Sequence, residues 1–102
     1  MGSMSAASPD DLAIAFRSVN RRLREAHGDA PPETTAAPTA ELNGLVHEAA
    51  QLMGTAPAPS AVADAISAMH ADQWNDATLD RLRTIALDIG RLVRHIQALT
   101  EG

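Results

Sequence analysis

The sequence predicts an all-α fold, a four-helix bundle made of two helical hairpins. Three observations carry this. Residues 75–99, NDATLDRLRTIALDIGRLVRHIQAL, place Leu82, Ile85, Ile89, Leu92, Ile96 and Leu99 at alternating steps of three and four. Leu79, Ala86 and Val93 widen that row into a stripe broader than a coiled-coil seam, the kind a helix shows inside a bundle. Two breaks, DAPPETTAAP and TAPAP, divide the remaining chain into three shorter segments with helical spacing. No stretch shows the period-two alternation of a strand. Helices are expected at about 9–27, 40–53, 61–71 and 76–100.

Residues 1–7 are small and polar, and are expected to be a disordered tag or tail, with MetGlySerMet reading as a cloning scar. Residues 8–102 then form a single four-helix domain. Its first helix opens on Ser8-Pro9-Asp10-Asp11. Ser8 caps, Pro9 suits the first helical position, and two acids meet the positive end of the dipole. Leu12, Phe16, Val19, Leu23 and Ala26 form its buried stripe. Gly28 ends it in the left-handed capping position.

A linker is expected over residues 29–39, because Pro31-Pro32 breaks a helix and no large apolar residue follows. Thr39 would cap the second helix, with Leu42, Leu45, Val46, Ala49, Leu52 and Met53 inward. Gly44 weakens that helix by ~1 kcal/mol relative to Ala, unless it permits close helix contact. Gly54 stops it. A second linker covers residues 54–60. Ser60 would cap the third helix, with Val62, Ala65, Ile66 and Met69 inward. Asn75 caps the last and longest helix, and Trp74 and Leu79 occupy the positions of a hydrophobic staple.

The core must be aliphatic, since there is one Phe, one Trp and no Tyr. A core of this size leaves stability marginal, or completed by a partner. The absence of Cys excludes disulfides and thiolate metal sites. No apolar run reaches membrane-spanning length and no signal peptide opens the chain, so a cytoplasmic protein is expected. Net charge is −5, and all eight basic residues are Arg. With its high Ala content, this suggests a GC-rich genome, such as that of an actinobacterium. Four Arg lie in residues 17–24 and four in residues 81–94, whereas residues 25–80 hold nine acids and no base. This segregation serves either complementarity within the bundle or a charged face for a partner.

No chemistry stands out. His27, His47, His70 and His95 lack metal-ligand spacing, and HExxH is absent. GxxxxGK[ST], GxGxxG and GxSxG are also absent, and no acidic pair sits on an inner helical face. The expectation is therefore no catalytic residues, no cofactor, no metal and no small-molecule substrate. RSVNRRLRE resembles the first helix of MarR-type regulators, but no helix-turn-helix follows and stacking aromatics are missing, so nucleic acid is not expected as a partner.

Two residues break the amphipathic pattern. Leu87 lies opposite the stripe of the last helix, in a row with Asp80, Arg83, Gly90, Arg91 and Arg94. Ile14 lies opposite the stripe of the first, in a row with Arg17, Arg21 and Arg24. Single exposed aliphatics are ordinary. As a pair ringed by Arg they are candidate anchors of a protein–protein or homodimer contact. The candidate interface is therefore Leu87, Arg83, Arg91, Arg94, Ile14, Arg17, Arg21 and Arg24, with another protein subunit or a second copy as partner.

The four-helix pattern of residues 8–100, the links APPETTAAP and TAPAP, and the Ala/Arg-rich composition resemble the four-helix-bundle docking domains of modular polyketide synthases. Such domains pair helical hairpins from successive subunits and keep the subunits in order. The resemblance implies a non-catalytic module in a multienzyme assembly for antibiotic biosynthesis. It also admits two native partner segments joined around residues 29–39 or 55–60. Two alternatives are a small homodimeric helical adaptor or regulator, built like MarR dimerisation helices without a DNA reader, and an antitoxin or immunity-type protein.

Overall fold

The computed structural model describes residues 8–69 and 71–101; the expected tail over residues 1–7 and His70 lie outside them. Among the described residues there is no strand. Five α-helices run in the order α1 (Pro9–Arg17), α2 (Val19–His27), α3 (Ala36–Met53), α4 (Pro59–Ala68) and α5 (Asp76–Glu101). Short 3-10 turns, Pro32–Thr34 and Ala71–Gln73, precede α3 and α5.

The first difference from expectation is the split of the 9–27 helix at Ser18. Neither Pro nor Gly causes it. The Ser18 hydroxyl donates to the Ala15 carbonyl at 3.0 Å, a local bond that competes with the helical ladder and bends the chain. Helical bonding resumes at once, with the Arg22 N–H donating to the Ser18 carbonyl. The apolar stripe survives the bend: Leu12, Phe16, Val19 and Ala26 are buried and Leu23 packs against them. At the start, Ser8 and Asp11 form a reciprocal capping box, with Pro9 in the first turn. At the end, Gly28 takes a positive φ of 53° but a ψ of −129°, so it stops α2 outside the left-handed helical conformation expected of it, its N–H donating to the Arg24 carbonyl.

The second difference is where α3 begins. It starts at Ala36, so Pro38 lies inside its first turn, buried. Pro is tolerated there because first-turn N–H groups have no intrahelical acceptor. The 29–39 linker is therefore shorter than expected, and Thr39 is not the cap. Thr35 holds the capping position, yet its hydroxyl does not cap either. It meets His27 Nδ1 at 2.8 Å, and Thr39 Oγ1 meets Nε2 at 3.5 Å. Thr35 is only 1% exposed, so this bond satisfies a buried hydroxyl and pins the end of α2 to the start of α3. Gly54 closes α3 in the left-handed region, as expected.

The third expected helix starts two residues early and ends three early, spanning residues 59–68 rather than 61–71. Pro59 occupies the first helical position behind Ala58, and Ser60 is not its cap. Asn75 does cap α5: its Oδ1 accepts from the N–H groups of Ala77 (2.8 Å) and Thr78 (3.3 Å). Trp74 and Leu79 are both partly buried and pack on the core.

The helices do not pair as two sequence-adjacent hairpins. α1 packs chiefly on α4, and α3 chiefly on α5. α5 also takes α2 along its other flank, while α4 bridges to α3. The α1–α4 contact carries a buried alanine on each side, Ala13 and Ala63, which lets two short helices approach closely around Leu12, Phe16, Val62 and Ile66. Across its rim, Arg17 pairs with Asp64 at 2.9 Å. α5 provides the spine of the core through Leu82, Ile85, Ile89, Val93 and Ile96. Arg81 pairs with Glu48 across the α3–α5 contact. The last turn of α5 is tied down by Thr100, whose hydroxyl donates to the Ala26 carbonyl at 2.8 Å.

Candidate interaction face

Ile14 and Leu87 are the two most exposed large aliphatics among the described residues, at 63% and 68%. Each is held by a helix whose opposite face is buried, so neither can turn inward without unpacking that helix. Around Ile14 lies a shallow depression lined by Ile14, Arg17, Ser18 and Arg21. The structure thus gathers three of the expected residues at one spot. Arg24, one turn further along α2, is exposed and does not line it.

On α5, Arg83, Leu87, Arg91 and Arg94 follow at helical spacing along the outer face. Arg83 and Arg91 form i,i+3 pairs with Asp80 and Asp88, both at 2.9 Å. Such exposed pairs contribute little stability and are easily exchanged for other carboxylates. Arg21, Arg24 and Arg94 take part in no ion pair among the described residues.

Sequence reasoning missed Arg22. Its guanidinium crosses from α2 toward α5, where a Cβ added at Gly90 would lie 3.8 Å from its terminal nitrogen. Arg22 and Arg94 line one cleft with Glu25, Ala26, Val93 and Gln97. The Arg22 nitrogen lies at ordinary van der Waals distance from the added Cβ, so glycine is not required at position 90 and the sequence carries no signal for the crossing.

Two more residues departed from expectation. Leu52 and Leu99 were placed inward but are 41% and 39% exposed. On α3 the buried face is centred nearer Ala50, and on α5 it turns toward Val93, which leaves these leucines at the edges.

Concave surface also occurs beside the His27–Thr35 contact, where Pro32, Thr39 and Asn43 form an open groove. Both ring nitrogens of His27 are occupied by threonine hydroxyls there. His47 and His95 are exposed. Among the described residues no group of three or more His, Asp or Glu is placed to hold a metal ion. Among the described residues no helix is long and apolar enough to cross a membrane. Comparison with family models, curated proteins and solved structures finds no match.

Chemically, this face offers planar cationic donors around isolated aliphatic side chains. Guanidinium groups bind carboxylates bidentately, and an aliphatic between them gains by being covered.

Proposed function

We propose that this chain is a non-catalytic protein–protein interaction module. Its role is that of a docking domain, which holds subunits of a cytoplasmic, polyketide-synthase-like assembly in order. In this reading α1 and α2 act as one bent helix, the domain works as a four-helix bundle, and the source is actinobacterial. One observation carries the proposal: the two most exposed large aliphatics both sit among arginines on outer helical faces. Apolar anchors inside a polar rim are what a specific, reversible contact needs.

The test starts with the solution mass of the full chain, by light scattering at several concentrations and two salt levels. A monomer throughout is expected, with the face reserved for a different subunit. A salt-sensitive dimer would instead favour the homodimeric adaptor. Leu87→Glu is expected to keep the parent circular dichroism spectrum and abolish cross-linking to the partner subunit in extracts of the source cells. If Leu87→Glu and Ile14→Glu both cross-link as the parent does, the proposal fails.

A further inference from the structure

Arg22 joins the two anchor patches. It follows Arg21, which lines the Ile14 depression, and its guanidinium reaches Gly90, three residues beyond Leu87. Arg22 and Arg94 line the cleft of the α2–α5 seam, with the Ile14 depression reaching to Arg21 on one helix and Leu87 lying one turn before Gly90 on the other. Arg21, Arg22 and Arg94 form no ion pair among the described residues, although the chain carries a net charge of −5. Acids are abundant elsewhere and already neutralise Arg17, Arg81, Arg83 and Arg91. Within the seam the one carboxylate lining the cleft is Glu25, which forms no ion pair among the described residues, so Arg21, Arg22 and Arg94 leave a local cationic excess.

Resting on the interaction-module reading, we infer that the occupant of the seam is an acidic segment of a different protein. Its carboxylates sit on Arg21, Arg22 and Arg94, and its apolar side chains cover Ile14 and Leu87. A second copy fits less well. Two-fold pairing of this face sets arginine against arginine, and a head-to-tail contact with the acidic middle of another copy leaves an open chain of subunits rather than a closed dimer. Nucleic acid would leave both aliphatics uncovered and would meet the net negative charge of the whole chain. A lipid surface is disfavoured by the small apolar area, two isolated side chains rather than a continuous stripe.

The experiment follows backbone amide shifts of the isotope-labelled full chain during three titrations. The probes are a synthetic amphipathic peptide of Leu and Glu, the same pattern with Lys for Glu, and phosphatidylserine vesicles. The acidic peptide is expected to shift Ile14, Arg21, Arg22, Leu87, Gly90 and Arg94, and added salt should weaken it. Arg21→Gln combined with Arg94→Gln should weaken it about tenfold. Both positions are exposed, and an unchanged amide spectrum of the free variant checks its fold. Equal binding of the Lys peptide, shifts confined to another surface, or binding of vesicles alone each overturn the inference. If the acidic peptide moves nothing while Leu87→Glu still abolishes cross-linking to the partner, the acidic occupant falls and the interaction module stands.

Discussion

Gly44→Ala is expected to stabilise the protein. Gly44 lies midway along α3, the ninth of its 18 residues, and its backbone is helical. In sequence it has two explanations: a propensity defect, or a close contact that only glycine permits. The structure separates them. A Cβ built at Gly44 finds no atom within 4 Å outside its own helix, and the residue is exposed. No contact is lost by the substitution, and the helix gains the propensity difference of ~1 kcal/mol. For a domain near this size, that raises the thermal midpoint by ~4–8 °C. Thermal unfolding by circular dichroism reads the midpoint, and urea titration should show an unchanged slope with a higher midpoint concentration. Gly54→Ala supplies the opposite sign. Gly54 has a φ of 66°, so a side chain there is strained even though space is open, and the midpoint should fall. If Gly44→Ala lowers the midpoint, that face of α3 is covered and the packing described above is wrong.

Other expectations follow from the core and the caps. Ile89→Asp, at a fully covered position in the spine of α5, places an unpaired carboxylate among aliphatics; it should unfold the domain, and unchanged helicity and melting would refute the register of α5. Asn75→Ala removes the acceptor for two amide donors and should cost ~1 kcal/mol in urea unfolding, with a loss under a few tenths showing that water caps equally well. Thr35→Val keeps the shape of a buried side chain but deletes the hydroxyl that holds His27. A loss of ~1–2 kcal/mol is expected, together with faster amide exchange in residues 28–34, and unaltered exchange would show that the contact does not pin the two helices.

What could be read in advance follows the range of the interactions. Ser8, Asn75, Gly28 and Gly54 act within a few residues, so their capping roles were legible. The stripe of α5 was legible for the same reason, because Leu82, Ile85, Ile89 and Ile96 report one helical face however that face is covered. The bend at Ser18 was not, since serine bonds back to the helix at some positions and faces water at others. Pro38 misled because a proline inside a first turn and a proline in a linker look alike until the helix start is known. The pairing of α1 with α4 had no local signal; two alanines at matching places, Ala13 and Ala63, gain meaning only once the helices are brought together. For the candidate face, Ile14 and Leu87 stood out as pattern breakers. Arg22 did not, because its approach to α5 is a contact between positions far apart in sequence.

The partnership of α1 with α4 also sets an order of events during synthesis. Leu12, Ala13 and Phe16 emerge early, yet the surface that covers them, Val62, Ala63 and Ile66, is made some fifty residues later. α2 waits longer still, for the 26 residues of α5, and α3 completes its packing only when α5 follows. Until then the nascent chain holds helices of 9, 9, 18 and 10 residues, most of them too short to persist alone in water. Consolidation therefore comes at the end, when α5 supplies the spine and the earlier helices close on it together.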